Sequence, residues 1–255
     1  MQKDKKIIIA NWKMNPDSEK EVQVIFSGIK KIASKLLNVQ TIVCPPFIYI
    51  AKLVDSHKGH RIAFGSQNVF SENKGAFTGM ISPNMLKNKG VEYVIIGHSE
   101  RRALCEDNIL VNKKIKSAIK SGLKVILCIG EKERDDHGHY FNFLKKQLLD
   151  SLEGVPKNSL HNLFIAYEPI WALSGNSGNK SMSSADVHEI TIFIKKILHD
   201  QYRVKVMPKI LYGGSANPKN AEDLILNGNV DGLLVGKASL DAKKFGEILS
   251  IVNKL

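Results

Sequence analysis

Short apolar runs rich in β-branched residues alternate along this chain with longer stretches in which apolar positions recur at helical spacing. That alternation predicts repeated strand–helix units, because parallel neighbours in a sheet need a long crossover, usually a helix. Eight runs are strand candidates: Lys6–Asn11, Thr41–Cys44, Arg61–Gly65, Tyr93–Gly97, Lys124–Ile129, Asn162–Tyr167, Lys209–Tyr212 and Gly232–Gly236. Ile7-Ile8-Ile9 and Val94-Ile95-Ile96 are continuously apolar rather than alternating, as strands covered on both faces must be. The clearest helix carries Val22, Ile25, Phe26, Ile29, Ile32, Ala33 and Leu36 on one face behind the start signal Pro16-Asp17-Ser18.

Eight such units in 255 residues, with no Pro-, Gly- or Ser-rich linker, predict an α/β protein with one domain over residues 1–255. A closed (β/α)8 barrel and a doubly wound open sheet share this local pattern; the count favours the barrel without excluding the open sheet. In a barrel the chemistry lies where the strands stop, at their C-terminal ends. Here the runs stop at Asn11-Trp12-Lys13, Gly65-Ser66-Gln67-Asn68, Gly97-His98-Ser99-Glu100, Cys128-Ile129-Gly130-Glu131, Tyr167-Glu168-Pro169, Tyr212-Gly213-Gly214-Ser215 and Gly236-Lys237. Gathered on one rim, these would supply a cation, an acid/base pair and phosphate-binding amides. Each is ambiguous alone. An isolated Glu168 reads as an exposed carboxylate or half of an ion pair, His98 as a structural histidine, and Gly213-Gly214 as an ordinary tight turn. Against this, Ser99-Glu100 makes a plausible helix start after His98. Lys13 follows a fully apolar strand, which suits a buried cation better than a solvated one. The two glycine turns fall after strands 7 and 8, where barrels bind phosphate.

The formal charge of +12 raises nucleic acid as a partner. Most lysines, however, lie singly or in pairs such as Lys30-Lys31 and Lys195-Lys196 on helix-like stretches, without interleaved stacking aromatics. No nucleic-acid partner is expected, and the field would draw in a small phosphorylated substrate. No apolar run approaches the roughly 20 residues that span a bilayer, and the start leads directly into a strand, so neither a membrane nor a secretory address is expected. Cys44, Cys105 and Cys128 are widely spaced and odd in number, which indicates neither a disulfide framework nor a metal site and fits the cytoplasm.

Asn11-Trp12-Lys13-Met14-Asn15, Ile96-Gly97-His98-Ser99-Glu100-Arg101-Arg102, Ala166-Tyr167-Glu168-Pro169-Ile170-Trp171-Ala172 and Tyr212-Gly213-Gly214-Ser215 together resemble the triosephosphate isomerase family. With Cys128-Ile129-Gly130-Glu131 and Gly232-Leu233-Leu234-Val235-Gly236, in the same order, the resemblance covers essentially the whole chain. It implies a TIM barrel that interconverts dihydroxyacetone phosphate and glyceraldehyde 3-phosphate through an enediolate, with no cofactor and no metal. By the same resemblance Glu168 removes the proton beside the carbonyl, and neutral His98 polarises that carbonyl and moves protons between the oxygens. Lys13, held by Asn11 and Glu100, binds substrate and stabilises the developing negative charge; a Schiff-base lysine would instead mean aldolase chemistry. The backbone N–H groups of Ser174, Ser215, Gly236 and Lys237 are expected on the phosphate, with Glu131, Trp171 and Tyr212 in support. A homodimer is expected through the loop around Thr78.

Four departures from the family pattern stand out. The lid segment after Ala172 reads Leu173-Ser174-Gly175-Asn176-Ser177-Gly178-Asn179-Lys180 in place of an aliphatic residue and Gly-Thr-Gly-Lys, at unchanged length. Lys237 replaces the second glycine of the last phosphate turn. Met80 replaces a Glu that would pair with the partner subunit's arginine, matched here by Arg101. A helix–loop Arg–Asp pair is replaced by Ile192 and Asn229.

Overall fold

A computed structural model describes residues 5–57, 59–173, 182–203 and 206–255. Its strands are β1 Lys6–Asn11, β2 Val39–Cys44, β3 Ile62–Ser66, β4 Tyr93–Ile96, β5 Lys124–Ile129, β6 Leu163–Tyr167, β7 Lys209–Tyr212 and β8 Gly232–Val235. All are parallel and paired in chain order, and β8 pairs back onto β1, with Ile8 opposite Leu233 and Ala10 opposite Val235. That last pairing separates a closed barrel from an open sheet.

Strand residues alternate between two buried layers. Ile7, Ile9, Ile42, Cys44, Tyr93, Ile95, Ile126, Cys128, Ala166, Leu211 and Leu234 form one cluster. Ile8, Ala10, Val43, Val94, Ile96, Leu127 and Ile165 belong to a second cluster shared with the helices. Burial on both faces is why these runs are apolar at every position.

The covering helices are α1 Glu19–Ala33, α2 Phe47–Ser56, α3 Pro83–Asn88, α4 Ser99–Arg102, α5 Asn108–Lys120, α6 His139–Leu152, α7 Ser184–Tyr202, α8 Ala221–Leu226 and α9 Ala242–Lys254. Helix α1 begins where Ser18 Oγ accepts the Glu21 N–H at 3.3 Å, and it buries Val22, Phe26, Ile29 and Ala33 while Lys30 and Lys31 face solvent. None of the helices among the described residues is long and apolar enough to cross a membrane.

Strands β1, β5 and β7 begin and end where the apolar pattern placed them, and the others differ by one or two residues. Strand β2 starts at Val39, whose side chain is buried and which pairs with Lys6. Strand β4 stops before Gly97, which turns the chain with φ of 73°. Strand β6 starts after a 3-10 segment over Lys157–Asn162, and β3 runs on to Ser66.

Candidate active site

Glu168 follows β6 directly and is 2% exposed, a depth a carboxylate occupies only with partners or a purpose. Its backbone is tied to the neighbouring strand end by Glu168 N–H to Ile129 O at 2.8 Å. Two glycines make room for it. A Cβ on Gly130 would stand 1.8 Å from the Glu168 carbonyl oxygen, and one on Gly213 would stand 2.7 Å from its Cγ. Its Oε2 accepts the Ser99 N–H at 3.1 Å, while Oε1 lies 3.3 Å from His98 Nε2. The Cys128 thiol lies against the same carboxylate; burial first, then the Glu168 charge, pushes it well above the usual thiol range and keeps it neutral.

His98 occupies the N-cap of α4, and its Nδ1 accepts the Glu100 N–H at 3.2 Å. A nitrogen that accepts a hydrogen bond carries no proton, so the neutral ring bears its hydrogen on Nε2, beside Glu168. Lys13, past the end of β1, adopts φ of 55°. Its N–H donates to Asn11 Oδ1 at 3.1 Å and its ammonium reaches Glu100 Oε1 at 2.5 Å. Asn11 and Glu100 thus contact Lys13 from its backbone and from its tip.

One cavity of about 190 Å³ is lined by Asn11, Lys13, His98 and Glu168 together with Gly213, Gly214, Ser215, Gly236 and Lys237. Gly236 and Lys237 open a 3-10 turn after β8, and Ser215 follows the double glycine after β7. Ser174, the remaining expected phosphate donor, and the rest of the lid to Lys180 lie outside the described residues.

Behind the cavity, Glu131 Oε1 accepts both the Tyr167 hydroxyl and Trp171 Nε1, each at 2.8 Å. One buried carboxylate therefore joins the end of β6 to the first residues of the lid. Tyr212 stands against the double-glycine turn, where a Cβ on Gly214 would meet its hydroxyl at 2.2 Å, and burial pushes its phenol up to about 12. The sequence reading used Ser99 only as a helix start and assigned nothing to Gln67 or Cys128. Ser99 could have been suspected as the first N–H after a candidate acid/base residue. The other two carry only their place where an apolar run stops.

The expected dimer loop is present with Phe77 and Met80 exposed. Arg101, matched to the family's interface arginine, is paired within its own chain to Glu106 at 3.2 Å, and buried Lys114 reaches the same carboxylate oxygen at 2.6 Å. Ile192 is solvent-exposed, and Asn229 takes φ of 51°, a conformation asparagine tolerates.

Comparison with known proteins adds an independent line. The family model described as triosephosphate isomerase matches residues 6–252. A triosephosphate isomerase of Alkaliphilus oremlandii is 42% identical over 253 residues, covering 98% of this chain and 99% of its own. One of Dictyoglomus thermophilum is 40% identical over 252 residues, covering 96% and 98%. Among solved structures, triosephosphate isomerase from Bartonella henselae superposes with a TM-score of 0.83 at 34% identity, covering 97% of this chain and 98% of that one.

Proposed function

The chain belongs to the triosephosphate isomerase family, whose reaction interconverts dihydroxyacetone phosphate and glyceraldehyde 3-phosphate in glycolysis, and we propose that Glu168, His98 and Lys13 divide that reaction between them. The observation that carries this reading is the shared edge of Glu168 and His98. The base oxygen and the donating ring nitrogen are 3.3 Å apart on one cavity wall, the separation needed to serve adjacent atoms of one substrate.

Glu168 takes a proton from the hydroxyl-bearing carbon next to the carbonyl. The bonding pair moves toward the carbonyl oxygen, and the Nε2–H of neutral His98 donates to that oxygen. The Lys13 ammonium stabilises the negative charge as it develops. Returning the Glu168 proton to the neighbouring carbon, while His98 passes a proton between the two oxygens, completes the isomerisation with no net proton change. Lys13 acts through charge and forms no covalent bond. The phosphate sits against Ser215, Gly236 and Lys237, where main-chain N–H groups at the turns after β7 and β8 favour an anion.

We assign a cytoplasmic location and a homodimer on separate grounds. The first rests on free thiols at Cys44, Cys105 and Cys128, and the second on the exposed Phe77 and Met80 of the loop around Thr78. One experiment tests the central assignment. In a coupled assay from glyceraldehyde 3-phosphate the wild type isomerises, whereas Glu168→Asp, which withdraws the carboxylate by one methylene, loses on the order of 100-fold, mainly in kcat. Near-full activity in that variant would remove Glu168 from the role of base.

A further inference from the structure

We infer that Gln67 is a positioning residue for Lys13: its side-chain amide holds the lysine backbone in the left-handed conformation that presents the ammonium to the cavity. The inference rests on the role proposed for Lys13.

Among the described residues only Lys13, Cys105, Arg203 and Asn229 combine a side chain with a positive φ. Arg203 caps the end of α7, Cys105 follows the short α4, and asparagine tolerates the conformation. Lys13 has no such excuse. It comes two residues after a β-strand, where an extended backbone would cost least, so its surroundings must hold it. Two contacts do so at the peptide level. Asn11 Oδ1 takes the N–H at 3.1 Å, and Gln67 Nε2 donates to the carbonyl oxygen at 2.8 Å.

Gln67 suits this task because one amide nitrogen carries two protons. The second goes to Cys44 O at 2.9 Å, at the end of β2. The same oxygen also accepts the Trp12 N–H at 3.2 Å. Gln67, just past β3, therefore clips the segment after β1 onto the end of β2. A carboxylate at 67 offers no donor, and a thioether of similar length offers none either. Without the clip the segment after β1 is released from the end of β2, and the φ of Lys13 can relax from 55° toward the extended region. The Cα–Cβ direction rotates with φ, and the lysine stem leaves its path along Gly236, where a Cβ would stand 3.4 Å from Lys13 Cε.

The test measures Gln67→Met and Gln67→Glu in the full-length protein, each in the wild-type and Lys13→Met backgrounds. Readouts are kcat, KM, thermal stability and the affinity for a hydroxamate mimic of the enediolate. Alone, either substitution should lower kcat on the order of 10- to 100-fold and weaken the mimic, with KM changed less than about threefold, since displacement near the chemistry acts on turnover. With Lys13→Met already present, the same substitution should cost less than about twofold, because two residues that act through one group are not additive. Equal losses in both backgrounds, or an unchanged kcat with only a lower Tm, would overturn the inference. Should Gln67→Met fail to fold, Gln67→Glu decides by the same criteria. Full activity of Lys13→Met alone would instead overturn the reading of Lys13.

Discussion

Gly130→Ala is the sharpest steric test of how the barrel seats Glu168. Gly130 has no positive φ, so alanine brings no backbone strain and acts through space alone. The new Cβ would lie 1.8 Å from Glu168 O, 2.7 Å from its carbonyl carbon and 3.3 Å from its Cα. Such carbon–oxygen contacts do not form below 3.0 Å, so roughly 1.2 Å of separation must be created, more than a packed interior yields freely. Neither side gives way easily. Glu168 N–H to Ile129 O at 2.8 Å and Ile170 N–H to Glu131 O at 3.0 Å clamp the two segments on both sides of Gly130, and Gly130 N–H is itself held by Gln147 Oε1 at 2.8 Å. The backbone of Glu168 should therefore move by about an ångström and carry the carboxylate with it, a displacement worth on the order of 100-fold in rate. Overpacking adds about 1–3 kcal/mol of destabilisation, or roughly 2–4 °C in Tm per kcal/mol for a chain of this size. The assay is kcat and KM at a temperature well below the measured Tm, so that unfolding cannot imitate the catalytic loss. Gly213→Ala supplies the contrast, because its Cβ meets the flexible Glu168 Cγ at 2.7 Å and should cost activity with a smaller loss of Tm. A Gly130→Ala protein with wild-type kcat would show that this contact does not set the position of the base.

Lys13→Met should lose about 3–4 kcal/mol of transition-state stabilisation while keeping its fold, and borohydride treatment of the wild type with substrate should trap nothing; a reduced imine on Lys13 detected by mass spectrometry would refute the charge-only role. His57, edge-on to Phe26 at 5.8 Å and Phe64 at 6.1 Å, has its imidazole pushed below the usual range by burial first and by Lys30 second. The folded state then binds this proton less readily than the unfolded chain. Its contribution is fully present above about pH 6.5 and is lost as the pH falls further. Replacing His57 with phenylalanine should flatten that part of the Tm–pH curve, and an unchanged slope would refute the cause. The homodimer should persist at micromolar concentration and respond little to salt, because Met80 gives the loop around Thr78 no charge to pair with an arginine across the interface; ultracentrifugation showing only monomer would overturn it.

What the chain determined alone was local. Ile7-Ile8-Ile9 spans few enough residues for periodicity to mark a doubly covered strand, Ser18 announces α1 within one turn, and Asn11, Lys13, His98 and Glu168 each stand where an apolar run stops. The rim rule for barrels then placed them together before any contact was known. Other features depend on which distant segments meet, and no window of the sequence contains that information. Barrel closure needed the pairing of β8 with β1, more than 220 residues apart in the chain, since each strand–helix unit fits an open sheet equally well. Gly130 and Gly213 look like ordinary turn glycines until β5, β6 and β7 lie side by side and show that Glu168 occupies the space of their missing Cβ atoms. Gln67 reads as a polar residue after a strand, and its bonds to Lys13 O and Cys44 O exist only because β1, β2 and β3 are adjacent and in register. The pairing of Arg101 with Glu106 inside the fold is likewise invisible to the chain's local pattern. Short-range sterics and solvation set the elements, whereas register and closure, which arise from the packing of the whole chain, set the distances on which the chemistry depends.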